Sequence, residues 1–451
     1  MNNLQLRNGK ISIHEPLEVI DPKHPEEIFD RDILERRNLA RRILDRLREE
    51  NCPRALGIYG GWGTGKTSLL NLLEQLNKKL PGQEAKELCL ISIDAWKYES
   101  GEGLLLPVVV KLKSLVGDGD LPDVWKVIVK RVLMTTALSV TDALLKKFLD
   151  LDRKQIKETH EEVESRDRDG DYKSVLQKWE LQSDEIANTE DAFKKLIEVI
   201  REKQQCRSVI ICIDNLDRCS PDNVVRLLES VKVFFNVPNC TWVFAMDSEV
   251  IANYINHKYE GARMDGNSYL DKIIPEQYHL SLSSGIDRQK IVNLLRFAAD
   301  TDRLELDERN IPQLPRVLVP RRLIKSAAKL SEFYRLPNRD MTKISKLLVF
   351  NLALLYHAWP GFYQRFSSDS ETHIRGILDN FFPLETVALA KEMPDHAAVA
   401  VNLLPLLRDY VEDQDLAYFL KTAFSEYPTH RTNFVIQLID GIRGLRETGL
   451  P

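Results

Sequence analysis

The sequence is poor in the features that would mark several common protein classes. Its six cysteines, Cys52, Cys89, Cys206, Cys212, Cys219 and Cys240, show none of the short paired spacings of a zinc site or a disulfide framework. They read as reduced thiols acting mostly as small apolar residues. No apolar run is suited to a bilayer. Val132 to Thr141 is uncharged for only 10 residues, about half of what a span needs. Leu347 to Gln364 is uncharged for 18 residues, yet it contains Asn351, His357 and the Pro360-Gly361 break, which favours a buried helix ending in a turn over a span. Charge of one sign is also lacking: 63 Lys and Arg face 68 Asp and Glu, for a net charge of -5. That balance gives no global drive toward nucleic acid or an anionic membrane. The N-terminal ten residues lack the apolar core of a secretory signal, so a cytoplasmic compartment is the expectation. There is no internal repeat, no low-complexity tract, and no nuclease, protease or metal-hydrolase signature.

At 451 residues the chain exceeds what one hydrophobic core usually supports, and two or three packed units are expected. Residues 28 to 50 read as an amphipathic helix, with Leu39, Ile43 and Leu47 recurring every four residues. Leu56 to Tyr59 is a short apolar strand that runs into the glycine-rich stretch Gly60 to Thr67, and Ser68 to Leu80 is helical in character. Three further strands are expected at Leu88 to Ile93, Val209 to Ile213 and Thr241 to Met246. Each ends in an acid, Asp94, Asp214 and Asp247 respectively, on the side where a parallel α/β sheet opens its ligand crevice. Helical patterns between them, such as Phe193, Leu196, Ile197 and Ile200, complete a doubly wound scheme.

Between Lys66 and Asp214 lie 147 residues, more than strands and crossovers require, so a charged helical insertion is placed at about 97 to 191. Its portion from Leu151 to Asp191 carries 20 charged residues in 41, a composition suited to a solvated hairpin or a partly disordered arm. The expected domains are therefore a core over 1 to 285, a helical lid over 286 to 346 and a helical C-terminal domain over 347 to 451. The lid holds a basic stretch, Pro315 to Lys346, with nine Lys or Arg against two acids.

The stretch Gly60-Gly61-Trp62-Gly63-Thr64-Gly65-Lys66-Thr67 meets the pattern G-x-x-x-x-G-K-[ST] between a strand and a helix. Binding phosphate requires several backbone N–H groups turned inward together, in dihedrals that only glycine adopts cheaply. Lys66 is expected to reach the β and γ phosphates, Thr67 to hold Mg2+, and the helix N-terminus at Ser68 to add its partial positive charge. Val209 to Ile213 then delivers Asp214 to the magnesium. Asp217 is the nearest acid that could orient an attacking water, or else a turn and capping residue. Asp247 reads as a sensor of the γ-phosphate or as a plain strand-ending acid. Arg321 and Arg322 read as nucleotide-state reporters or as a solvated basic face.

These residues resemble the KAP family of P-loop NTPases. The likeness is carried by the tryptophan-containing loop, by Asp94-Ala95-Trp96-Lys97-Tyr98-Glu99, by Ile213-Asp214-Asn215-Leu216-Asp217-Arg218-Cys219, by Tyr269 to Ile274 and by Pro320-Arg321-Arg322. It spans roughly residues 28 to 335. The resemblance implies an α/β fold of the additional-strand type with a parallel doubly wound sheet, a helical lid and C-terminal helices, ATP and Mg2+ as ligands, and nucleotide-linked switching of a homo-oligomer or a protein partner. It also implies a bacterial protein of anti-phage defence. Asn215 departs from the family, which commonly has a second aspartate there, and the departure points to slow hydrolysis. Three functions remain open: an ATPase switch, a nucleotide-stabilised scaffold with little turnover, and an ATPase that meets nucleic acid through the basic stretch. The lack of an Asn-Lys-x-Asp motif, with the resemblance, favours ATP over GTP.

Overall fold

A computed structural model describes residues 24–30, 32, 35–79, 87–99, 104–116, 124–125, 127–128, 172–234, 236–260, 265–280, 319–334, 336, 346–368, 370–382, 410, 413–425 and 429–450. Val132 to Thr141 lies outside them, as does Leu151 to Asp171. The described chain divides into two compact units that meet in sequence between Leu280 and Ser281.

The first unit is built on a five-stranded parallel sheet in the order β2-β3-β4-β1-β5. Its strands are β1 (Ala55–Tyr59), β2 (Leu88–Asp94), β3 (Ser208–Asp214), β4 (Cys240–Met246) and β5 (Glu276–His279). The helices of this unit are α1 (Glu27–Asp30), α2 (Arg36–Arg48), α3 (Lys66–Lys79), α4 (Leu105–Val116), α5 (Tyr172–Gln204), α6 (Pro221–Val231), α7 (Ser248–Lys258) and α8 (Gly266–Ile273). Strand β4 is inserted between β1 and β3, the two strands that carry the glycine loop and Asp214. This is the additional-strand arrangement.

β1 and β4 are buried along their whole lengths. That is why they read as unbroken apolar runs instead of alternating ones: helices cover both faces of the sheet. Alternate residues still divide between two cores. Ile91, Ile93, Val209, Ile211, Ile213, Trp242 and Phe244 pack with α4, α5 and α6. Leu56, Ile58, Ile210, Cys212, Val243 and Ala245 pack with α2 and α3. Helix α4, within the span expected as an insertion, places Leu105, Val108, Val109 and Leu112 in the first of these cores, so this piece is integral to the layer.

The continuous helix expected over 28 to 50 is divided into α1 and α2. Glu35 adopts a left-handed backbone, φ 51°, and the Asp32 carboxylate accepts the N–H groups of Arg36 and Arg37 at 2.9 and 2.6 Å. Those are among the first amides of α2, which no helical carbonyl can satisfy. Strand β5 was not foreseen, because Glu276-Gln277-Tyr278-His279 is polar and sits at the sheet edge. Its attachment is polar too: Arg46 of α2 donates to both oxygens of Glu276, at 3.1 and 2.9 Å. The cysteines are free thiols, four of them buried.

The second unit is helical where described: α9 (Pro320–Tyr334), α10 (Lys346–Ala358), α11 (Pro360–Phe366), α12 (Glu371–Phe381), α13 (Gln414–Ala423) and α14 (Arg431–Glu447). The uncharged run from Leu347 forms α10, which is buried and stops before Pro360, where α11 begins. No described helix is long and apolar enough to cross a membrane. In the basic stretch, Phe333 is fully buried and Tyr334 meets it edge-on at 5.6 Å, so Phe333 presents no surface to a nucleobase. His357 is half-buried, and desolvation, with the charges of Lys325, Lys329 and Arg322, lowers its pKa to about 4.

In α8 the chain passes very close to α7. A Cβ on Gly266 would stand 2.2 Å from the Ala252 carbonyl oxygen and 2.8 Å from its carbonyl carbon, and backbone cannot yield as a flexible side chain can. Replacing Gly266 by Ala is expected to cost about 1–3 kcal/mol, seen as an earlier urea unfolding midpoint; an unchanged midpoint would show that the two helices part at no cost.

Candidate functional site

Because the strands are parallel and in register, their C-terminal ends share one edge of the sheet. Asp94 pairs with Asp214 across β2 and β3, Asp214 with Ala245, and Tyr59 with Met246. The loop from Gly60 to Gly65 leaves β1 at this edge, which is where a parallel sheet binds ligands.

The loop's conformation follows from its glycines. Gly63 and Gly65 have φ of 86° and 97°, the left-handed region that glycine enters without steric cost. A Cβ on Gly60 would lie 2.6 Å from Thr64 Oγ1 and 3.1 Å from the Leu280 carbonyl oxygen, so only glycine fits there. Thr64 closes the turn by donating its hydroxyl to the Gly61 carbonyl at 2.8 Å. Gly60 N–H donates to Met246 O at 3.1 Å, tying the loop to β4. Trp62, at the outside of the loop, is 67% exposed.

Helix α3 starts at Lys66, with Thr67 and Ser68 in its first turn. The buried Lys66 ammonium donates to the carbonyls of Gly60 and Gly61 at 2.7 and 3.3 Å. It also pairs with Asp217 at 3.6 Å, and both side chains are less than a tenth exposed. The Thr67 hydroxyl donates to Asp214 Oδ2 at 2.5 Å, joining the loop to β3 although β4 separates the two strands. Burial raises the Asp214 carboxyl pKa, as does the nearby charge of Asp94; the Thr67 hydroxyl, the Asn215 N–H and the Lys66 charge pull it back down.

The sequence reading thus names a set that the fold brings together: the loop, Lys66, Thr67, Asp214 and Asp217. Asp217 has a partner that the sequence did not disclose, Lys66, and its second oxygen, Oδ1, is buried with no hydrogen-bond partner. Asp247 follows β4 beside the loop, since its Oδ2 is 3.6 Å from where a Gly61 Cβ would stand. Its Oδ1 accepts Glu249 N–H at 3.2 Å and caps α7. Arg321 and Arg322 stand in the first turn of α9, in the second unit, where burial lowers the pKa of Arg322.

Other pairings at this edge escaped the sequence reading. Asn215 Nδ2 donates to Asp94 Oδ1 at 2.9 Å. Glu99 Oε1 accepts Ser220 N–H at 2.8 Å, ahead of α6. The Arg218 guanidinium lies 5.7 Å from the Trp62 ring and 5.0 Å from the Trp96 ring, within the range of cation–π attraction. Their signal was present in two stretches already singled out, 94 to 99 and 213 to 219, but not their pairing, which needs β2 and β3 side by side.

A glycine loop leading from the central β1 into α3, with Asp214 reached across an inserted strand, defines a P-loop NTPase of the additional-strand type. A model of the KAP family P-loop domain matches residues 36–335, and the chain belongs to that family. Among curated proteins it is similar to the phage T7 exclusion protein of Escherichia coli K12, with 24% identity over 265 residues. The match covers 55% of this chain and 33% of that relative, so the chain spans about a third of its length. Among solved structures it is similar to the Walker-type ATPase PABY2304 of Pyrococcus abyssi, at 14% identity and a TM-score of 0.34, covering 87% of this chain and 96% of the other. The Aeropyrum pernix ORC2 protein, solved as ADPNP and ADP complexes, gives 14% identity and a TM-score of 0.34, with 96% of each chain covered.

Trp62 is well placed to report on the loop, being exposed and next to Arg218. Adding Mg-ATP is expected to change the protein's tryptophan emission, and Trp62→Phe to remove most of that change. An equal response in both proteins would show that the loop's indole does not sense the ligand.

Proposed function

We propose that this chain is a Mg-ATP-dependent ATPase whose nucleotide cycle switches its conformation or its assembly, in the cytoplasm of a bacterium and in defence against phage. The observation that carries the hydrolytic site is the hydrogen bond from Thr67 to the buried Asp214, with Lys66 in the same loop. The residues fit a magnesium nucleotide. Lys66, the loop N–H groups and the α3 N-terminus supply positive character for phosphate oxygens, and space is open beyond Gly65, where an added Cβ would meet nothing within 4 Å. Among the described residues no group of three or more His, Cys, Asp or Glu could hold a metal. A P-loop does not need one, because magnesium there takes a Thr hydroxyl, an acid and phosphate oxygens and keeps several waters.

Thr67 and Asp214 would hold that ion, which when bound neutralises charge developing on the phosphates. Lys66 would leave the Gly60 and Gly61 carbonyls for the β and γ phosphates. Asp217, Asp247, Arg321 and Arg322 are assigned to orienting or sensing the terminal phosphate. The assignment to defence is supported by the name of the T7 exclusion relative and by the family; switching is supported by the family alone.

Lys66→Ala is expected to weaken ATP binding or turnover at least about tenfold, the loss of a charge-assisted contact worth about 1.5–3 kcal/mol. Because the substitution also strips Asp217 of its buried partner, thermal unfolding should accompany it, with Thr67→Ala as a second variant. Wild-type affinity and rate in both would sink the site. Tight ATP retention without turnover in the wild type would assign the chain instead to a nucleotide-stabilised scaffold.

Nucleotide is also expected to control self-association, since a γ-phosphate is well neutralised in a water-poor cleft between subunits. If ATP favours assembly, assembly must tighten ATP by the same factor. Light scattering of Asp217→Asn with ATP, with ADP and without nucleotide should then give different masses. The same mass in all three would leave a fixed assembly or a monomer.

A further inference from the structure

Position 215 carries an amide where an acid is common in the family, yet the structure shows that amide in use. Asn215 has a left-handed backbone, φ 61°, a conformation that Asn tolerates better than most residues. In it, the residue bonds to two carboxylates on adjacent strands. Its N–H donates to Asp214 Oδ1 at 2.8 Å, and its side-chain Nδ2 donates to Asp94 Oδ1 at 2.9 Å. An aspartate at 215 would offer no side-chain donor and would set a further negative charge beside the other two. The amide therefore draws the strand-ending acid of β2 into the site.

The two acids it holds are not equivalent. Asp214 is 5% exposed and takes the Thr67 hydroxyl, whereas the Asp94 side chain is 27% exposed. Asp94 Oδ2 lies 3.6 Å from the Lys97 ammonium, itself 73% exposed, and a pair so solvated is worth little. Asp94 thus has one oxygen fixed and the other near solvent, at the strand-end level shared with Asp214. Of the other acids near the loop, Asp217 is tied to Lys66 in a buried pair, and Asp247 caps α7 through Oδ1.

We propose that Asp94 is the carboxylate that orients the water attacking the terminal phosphate, and that Asn215 is its positioning residue. The assignment rests on the ATPase reading above. In the step it serves, the water oxygen bonds to the γ-phosphorus and the bond to the β–γ bridging oxygen breaks. The electron pair leaves with ADP, and a water proton is released with the orthophosphate. Asp94 accepts a hydrogen bond from that water and aims its lone pair.

The test measures ATP affinity and single-turnover hydrolysis on the same samples of full-length protein. Asp94→Asn is expected to keep ATP affinity within about threefold and to lose at least about 100-fold in turnover. Asn215→Ala should lose about tenfold in turnover with affinity unchanged. The exchange Asp94→Asn with Asn215→Asp moves the carboxylate across the same hydrogen bond, and it should recover part of the rate; it also stands in if the single variant fails to fold. A merely structural role for Asp94 would show as lost affinity in step with lost rate and no recovery in the exchange, and would overturn the assignment. Wild-type turnover in Asp94→Asn, or a larger turnover loss in Asp217→Asn, would overturn it while leaving the ATPase reading intact. No turnover in the wild type, with ATP bound, would overturn both.

Discussion

The hydrogen bond between Thr67 and Asp214 sets the terms for the rest of the first unit. Its two residues come from the first turn of α3, which follows β1's loop, and from β3, and β4 keeps β1 and β3 apart. They meet because α3 turns back over the sheet face lined by Ile210, Cys212, Val243 and Ala245, and because three parallel strands end at one level. A one-residue slip of β3 would move Asp214 to the other face and leave its apolar neighbours facing the wrong core. The same register that buries Ile211 and Ile213 therefore aims the acid.

Burial gives this arrangement its chemistry as well as its shape. Asp214 and Lys66 are nearly closed to solvent, so each contact to them is less screened than on the surface. Burial alone would favour a protonated Asp214, and the Thr67 hydroxyl, the Asn215 N–H and the Lys66 charge oppose that. The acids at this edge are thus each partnered locally: Asp217 by the Lys66 charge, Asp94 by the Asn215 amide and Asp214 by the Thr67 hydroxyl.

Much of this was legible in the sequence, and the limits were physical ones. The four apolar strands announced themselves as β-rich runs, three of them ending in acids, and the loop by its glycines. Strand β5 did not, because an edge strand held by Arg46 and Glu276 needs no apolar alternation. The division of the N-terminal helix turned on Asp32 reaching forward to Arg36 and Arg37, a contact that periodicity does not encode. Asp94 was visible as a strand-ending acid, but its partnership with Asn215 depends on which strands are neighbours. Residues 94 and 215 are far apart in the chain, and no local pattern brings them together.

Leu280, the last residue of the first unit, donates its N–H to the carbonyl of Tyr59 at 2.7 Å and would lie 3.2 Å from a Cβ on Gly60. The described part of the first unit thus ends hydrogen-bonded to the residue that precedes the phosphate loop. A shift of the loop is therefore felt at Leu280, because the carbonyl that accepts its N–H belongs to the residue immediately before Gly60.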